Sequence, residues 1–228
     1  MSDDVDLKRM AEIPDPFAGP SRGPAPEKIQ PAGASPTRSQ VRRKRAIAAA
    51  AAVAYEVGWV LVVERRRDLG QLPGWTIALG LVIPLASAAL ALAAVTAPGR
   101  RRLGAPASWL VALTLMPPVL FSVATLVTGP LDAGEGHFWN LAVRCMGITA
   151  LLTAGPLALG AVVFRHAFAA ASVWRTAALG VACGAMAAAT MSLACWHVGA
   201  LHAIVGHGAM MLVGGVAGAL LGRHFTRS

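Results

Sequence analysis

No aspartate or glutamate follows Glu135 in this chain. A proton or cation relay built on carboxylates therefore has no path through the C-terminal apolar runs, which argues against one common transporter design. Charge is scarce over the whole sequence, at 14% of residues against 56% hydrophobic. With a mean hydropathy of +0.59, the chain is too apolar for an ordinary soluble domain and reads as a polytopic membrane protein. Catalytic signatures are missing as well. The three cysteines, Cys145, Cys183 and Cys195, form no C-x-x-C pair and no zinc-ribbon spacing, so neither thioredoxin-like chemistry nor a disulfide-rich secreted scaffold is supported. The sequence holds no H-E-x-x-H, and no G-x-S-x-G within an apolar run. Ser192 with His207 is the one serine and histidine pair left to test as nucleophile and base. These absences argue against an enzyme.

What is present is a series of six apolar runs, roughly Ala46 to Val63, Leu72 to Thr96, Pro106 to Thr128, Phe138 to Phe164, Ser172 to Trp196 and Leu201 to Leu221. Each is about long enough to cross a bilayer as a helix. The fold class expected is all-α, a bundle of six transmembrane helices over residues 46–228. Ahead of it, residues 1–45 carry Pro14, Pro16, Pro20, Pro24, Pro26, Pro31 and Pro36 among glycine, serine and charge, a composition that buries no core and reads as a disordered tail. One piece of the tail, residues 3–13, has acids at its start, bases further on and apolar residues at helical spacing, with Pro14 to end a helix. It is either an incidental pattern or a docking helix that folds on a soluble partner through Leu7, Met10 and Ile13.

Basic residues set the orientation. The tail through Arg45, the Arg100–Arg102 loop, Arg165 with Arg175, and Arg223 with Arg227 fall on one side of a six-span chain, and the positive-inside rule makes that side cytoplasmic. The loop Glu64-Arg65-Arg66-Arg67-Asp68 opposes this assignment and is outvoted. Both termini are then cytoplasmic, and the membrane would be the inner one if the chain is bacterial. Arg42-Arg43-Lys44-Arg45 lies too far from the start for the run after it to be a cleavable signal, so that run stays as the first span.

Inside the spans, Glu56 requires a partner, because an ionised carboxylate there costs several kcal/mol. Arg144, in the outer part of the fourth helix and within snorkelling depth, is the expected one, as a structural ion pair. Pro84, Pro117, Pro118 and Pro156 are expected to shape the bundle. The repeats Gly180-x-x-x-Gly184 and Gly214-x-x-x-Gly218-x-x-x-Gly222 allow close helix packing, within the chain or between copies in a homo-oligomer.

The remaining chemistry lies between Ser192 and Gly208. Cys195 comes twelve positions after Cys183, about 18 Å along a helix at ~1.5 Å per residue, far beyond the ~7 Å reach of a disulfide. Cys183 is therefore a packing residue, whereas Cys145 and Cys195 both fall near the outer boundary, where they could face each other. His197 and His202 belong to the turn, His207 lies about a turn and a half into the sixth run, and His137 sits in the preceding external loop. With the two thiols these histidines form a soft donor set for a transition-metal ion, though no cofactor is required by the pattern. Histidines hydrogen-bonded within the bundle are the other reading. Haem is a weaker variant, since His166 and His224 lie at the opposite face.

Six spans with the termini inside, Arg144-Cys145 opening the fourth, Cys195 closing the fifth, a histidine-bearing last turn and Gly218-Ala219-Leu220-Leu221-Gly222-Arg223 at the end resemble the NrsF family. These are bacterial membrane anti-sigma factors for extracytoplasmic-function sigma factors. The similarity runs from about Arg42 to the end; Trp196 departs from it where the family leads one to expect proline, and the proline-rich tail is long. The resemblance implies that the tail holds a sigma factor away from RNA polymerase, with no direct contact to nucleic acid, and that Cys145 and Cys195 take part in sensing envelope stress, metal or redox. A small multi-pass transporter, or a membrane protein that binds metal or haem, is the alternative.

Overall fold

The structure, a computed structural model, describes residues 37–62, 70–96, 107–131, 138–164, 172–197 and 199–227. The segment 3–13 with Leu7, Met10 and Ile13, the arginine-rich loops at 64–68 and 100–102, His137, Arg165 and His166 lie outside the described residues. The chain divides into one unit over Met1–Gln40 and another over Val41–Ser228. At the end of the first unit, Thr37 Oγ1 accepts from the Gln40 amide at 3.3 Å and Gln40 Oε1 accepts from the Thr37 amide at 3.0 Å. This reciprocal pair is a capping box. It explains why the first helix starts at Arg38, eight residues before the apolar run, and takes Arg42–Arg45 into its opening turns.

The described residues fold into helices and no strand: α1 (Arg38–Val62), α2 (Gly74–Thr96), α3 (Ala107–Thr128), α4 (Phe138–Phe164), α5 (Ser172–Ala194), a short α6 (Ala200–Ala203), a π-helical segment (Ile204–Gly208) and α7 (Ala209–Arg227). Six stretches among them are long and apolar enough to cross a membrane, the last running from Ala200 to His224. Large apolar side chains such as Leu61, Leu85, Val127, Val162 and Leu220 face outward, a surface that only a lipid environment solvates cheaply. Trp75, Trp109, Trp139, Trp174 and Trp196 are all exposed and all sit at helix ends, the position of an interfacial aromatic belt.

α5 is the axis of the bundle. Of its spanning window, 78% is buried, against 11% for α1, because alanine and glycine on every face let neighbours close in. A Cβ on Gly180 would run into the Gly214 carbonyl, one on Gly218 into that of Thr176, and one on Gly184 would come within 2.6 Å of Met210 O. Gly180, Gly184, Gly214 and Gly218 are thus taken up by α5 packing on α7 within the chain. Cys183 is buried with Leu110, Leu157, Ala178 and Leu179, a packing residue as its spacing implies. The four in-helix prolines, Pro84, Pro117, Pro118 and Pro156, are buried.

α1 is bound more sparingly. Tyr55 donates its hydroxyl to Leu151 O on α4 at 3.1 Å, with its ring against Gly155. Glu56, 5% exposed, accepts a hydrogen bond from Thr190 Oγ1 of α5 at 2.7 Å. The expected pair with Arg144 is not formed. Arg144 is exposed and makes no ion pair with Glu56, because its place two turns into α4 leaves the guanidinium at the rim while Glu56 faces the axis. Glu56 Oε1 has no hydrogen-bond partner.

Candidate sensing site

Two helix ends bring the thiols together. Cys145 lies in the second turn of α4, and Cys195 follows the last residue of α5, held by its amide to Met191 O at 2.8 Å. Their Sγ atoms are 3.7 Å apart, and all three cysteines are free. Cys195 Sγ is also 3.4 Å from His202 Nε2. The Cys145 thiol beside it holds the Cys195 thiol below the ordinary range; burial opposes this, and the His202 and His207 imidazoles reinforce it. The thiolate is the form that ligates metals and attacks electrophiles.

The histidines are placed by the start of the sixth span. The Ala200 amide donates to Pro130 O at 2.9 Å, which fixes α6 beside the end of α3. The chain then passes through the π-helical segment, whose wider turn brings residues five apart closer to one face than an α-helix does. His202 and His207 consequently meet edge to face, with ring centroids 5.5 Å apart. Thr149 of α4 stabilises the distortion: its hydroxyl is 2.7 Å from Cys145 O and 3.0 Å from Gly206 O. Gly206 and Gly208 allow the close approach, since a Cβ would come within 3.2 Å of Cys145 Cβ at the first and 2.9 Å of the Phe121 ring at the second.

The outcome is a donor set with Cys195, His202 and His207 buried and Cys145 half-buried. Cys145 Sγ, Cys195 Sγ and one ring nitrogen each from His202 and His207 all lie within 4.8 Å of one another. Around a tetrahedral zinc with Zn–S bonds of ~2.3 Å, two sulfurs are about 3.8 Å apart; the 3.7 Å seen here matches that separation. A disulfide requires ~2.05 Å and hence a closing movement of about 1.6 Å. His207 adds a second observation. It is 2% exposed, yet neither ring nitrogen has a hydrogen-bond partner, a cost that ligation of one of them would remove. The residues therefore fit a transition-metal ion.

Two cavities flank the cluster. One, of about 350 Å³, lies between Trp59 of α1, Arg144, Cys145 and Ile148 of α4, and Thr190 and Met191 of α5. The other, of about 200 Å³, runs from Leu72, Pro73, Thr128 and Pro130 at the helix ends to His207. Cys195 and His197 line both. Because Leu72, Thr128 and Cys195 share one cavity, the start of α2 and the ends of α3 and α5 lie at one end of the bundle.

Of the residues singled out in the sequence, Cys145, Cys195, His202 and His207 converge. His197 stands next to them, stacked on Trp196 at 4.1 Å and on His202 at 5.0 Å. Glu56 is near only through Thr190, and Ser192 donates to Ala188 O instead of pairing with a histidine. Thr149, Thr190 and the π-helical turn escaped sequence reasoning. The one signal that could have exposed the turn is Gly206-His207-Gly208, a histidine between two glycines on a helix.

Residues 31–227 match the NrsF family, described as "Negative regulator of sigma F". No curated protein and no solved structure matches the chain. The family match spans most of the sequence and covers all six apolar helices and the convergent cysteines; the chain belongs to the NrsF family of negative regulators of sigma F.

Proposed function

We propose that this protein is a membrane anti-sigma factor that sequesters an extracytoplasmic-function sigma factor through its N-terminal tail and releases it when envelope stress changes the Cys145–Cys195 pair. The observation that carries the reading is that pair, two free thiols 3.7 Å apart at one end of a membrane bundle in a family of sigma-factor regulators. Arg43 and Lys44 are exposed on the opening turns of α1, and Arg223 is exposed near the end of α7. The positive-inside rule puts these in the cytoplasm of a bacterial inner membrane, so the thiols face outward, into a compartment that permits disulfides.

Two kinds of change suit the geometry. A two-electron oxidant would take the electrons and protons of both thiols and leave a Cys145–Cys195 disulfide, drawing the ends of α4 and α5 together. Alternatively, Cys145, Cys195, His202 and His207 would hold a soft or borderline transition-metal cation, which supplies a cross-link between α4, α5 and the sixth span. Leu7, Met10 and Ile13 would anchor the sigma factor. The role is regulatory, with no chemistry performed on a substrate and no contact with nucleic acid.

Co-purification is the direct test. Residues 1–45, immobilised and exposed to a lysate of the native host, should retain a sigma factor, and Leu7→Asp with Met10→Asp should abolish the capture. If the tail retains none, the anti-sigma reading fails. In cells, Cys145→Ser and Cys195→Ser should each change output from the target promoter several-fold under metal or oxidant stress; an unaltered response in both removes the sensing role.

A further inference from the structure

We propose that His197 is the entry ligand of the Cys145–Cys195–His202–His207 site: the imidazole that first captures a transition-metal cation and passes it to the four inner donors. The inference rests on the reading of those four residues as metal ligands. His197 is not one of the four whose donor atoms cluster within 4.8 Å, yet its ring is 5.0 Å from that of His202. It is therefore a fifth donor one step outside the set.

Three features give it that role. Its Nε2 is buried without a hydrogen-bond partner, so a lone pair or an N–H is held ready at a cost that no protein group offsets. Together with Cys195, it is the residue common to both cavities. A solute entering between the helix ends at Pro73 and Pro130 meets it on the wall that also carries Cys195 and His207. Finally, Trp196 and His197 are non-helical and come after the Cys195 amide bond to Met191 O that extends the α5 ladder, so the imidazole can swing between the mouth and the cluster.

The chemistry is stepwise ligand exchange. Imidazole is a neutral donor suited to borderline cations, and it would replace one bound water on capture. Cys195 and His202 then replace further waters, His197 is displaced last, and any thiol protons pass to solvent. An entry ligand of this kind lowers the barrier in both directions and leaves the equilibrium unchanged.

Rapid mixing of the reduced, full-length protein in detergent with Co²⁺, followed by the thiolate-to-cobalt charge-transfer and d–d bands, reads each stage. His197→Ala should reach the wild-type spectrum and the wild-type equilibrium affinity, but load more slowly, by on the order of tenfold for a barrier raised by about 1.4 kcal/mol, and release more slowly by the same factor. His197→Cys, which restores a soft donor, should recover the rate. His197→Gln, of similar reach but a poor ligand, should be as slow as His197→Ala and guards against a folding artefact. Loading of His197→Ala and His197→Gln at the wild-type rate overturns the proposal. So does an altered spectrum with weaker equilibrium binding, since His197 would then be a resident ligand. Absence of any cobalt band in the wild-type protein overturns the metal reading and the entry role together, whereas bands with an unchanged rate overturn the entry role alone.

Discussion

Thr190 contributes the hydrogen bond shown for Glu56, and the carboxylate's other oxygen has no partner. Thr190→Val should therefore destabilise the protein by about 1–3 kcal/mol, the cost of leaving a buried polar group unmade, seen as a lower unfolding midpoint in detergent. Glu56→Gln keeps an acceptor for the hydroxyl and should lose much less. The need for a partner was legible in the sequence, because a carboxylate inside an apolar run demands one. Its identity was not: a threonine carries no charge to mark it, and Arg144 is at the wrong depth to reach. His207 allows a sharper test. In metal-free protein His207→Leu should raise the midpoint, by about 1 kcal/mol, because two unpaired nitrogens leave the interior. Zinc at a hundred times its dissociation constant should stabilise the wild type by about 2.7 kcal/mol and this variant by far less.

Among the elements, the six spans were readable from hydropathy to within a few residues, except that the capping box moves the start of α1 back to Arg38. Thr37-x-x-Gln40 carried that signal. The π-helical segment was not readable, because Ile204–Gly208 is as apolar as the α-helix around it and the extra residue in its turn changes no period over so short a stretch. The glycine repeats were legible as close packing, and Gly180, Gly184, Gly214 and Gly218 meet within the chain. Gly180→Ala should separate α5 from α7, since the obstructing atoms are backbone and cannot rotate away. A loss of at least 2 kcal/mol, or failure to fold, is expected. Gly147→Ala is the matched control. Nothing lies within 4 Å of that position, and removing a mid-helix glycine should add about 0.5–1 kcal/mol.

For the whole molecule, the side on which the thiols open decides what they can sense. Gln71 is exposed at the end of the bundle that holds the site, and Lys44 is exposed on the opening turns of α1. In a variant lacking native cysteines, Gln71→Cys should react with a membrane-impermeant maleimide in intact spheroplasts, and Lys44→Cys only after lysis. The reverse pattern would turn the Cys145–Cys195 pair toward the cytoplasm and make it a reporter of the reducing interior. That both thiols would share one end was legible from six spans of alternating direction. That they would be in contact was not, because a helix's rotation about its own axis is set by packing, here by the Thr149 bridge and Gly206.

The sparse attachment of α1 has a mechanical corollary. Its bonds to α4 and α5 come from adjacent residues, Tyr55 and Glu56, and one turn further on Trp59 forms part of the wall of the Cys145 cavity. With the level of Tyr55 and Glu56 as fulcrum, α1 would act as a lever. From Glu56 back to Val41 the arm is about 22 Å, so a tilt of about 5° at the fulcrum swings the far end by about 2 Å. A cavity that narrows or widens beside Trp59 would thus be felt, along the rod, at the Val41 end of α1.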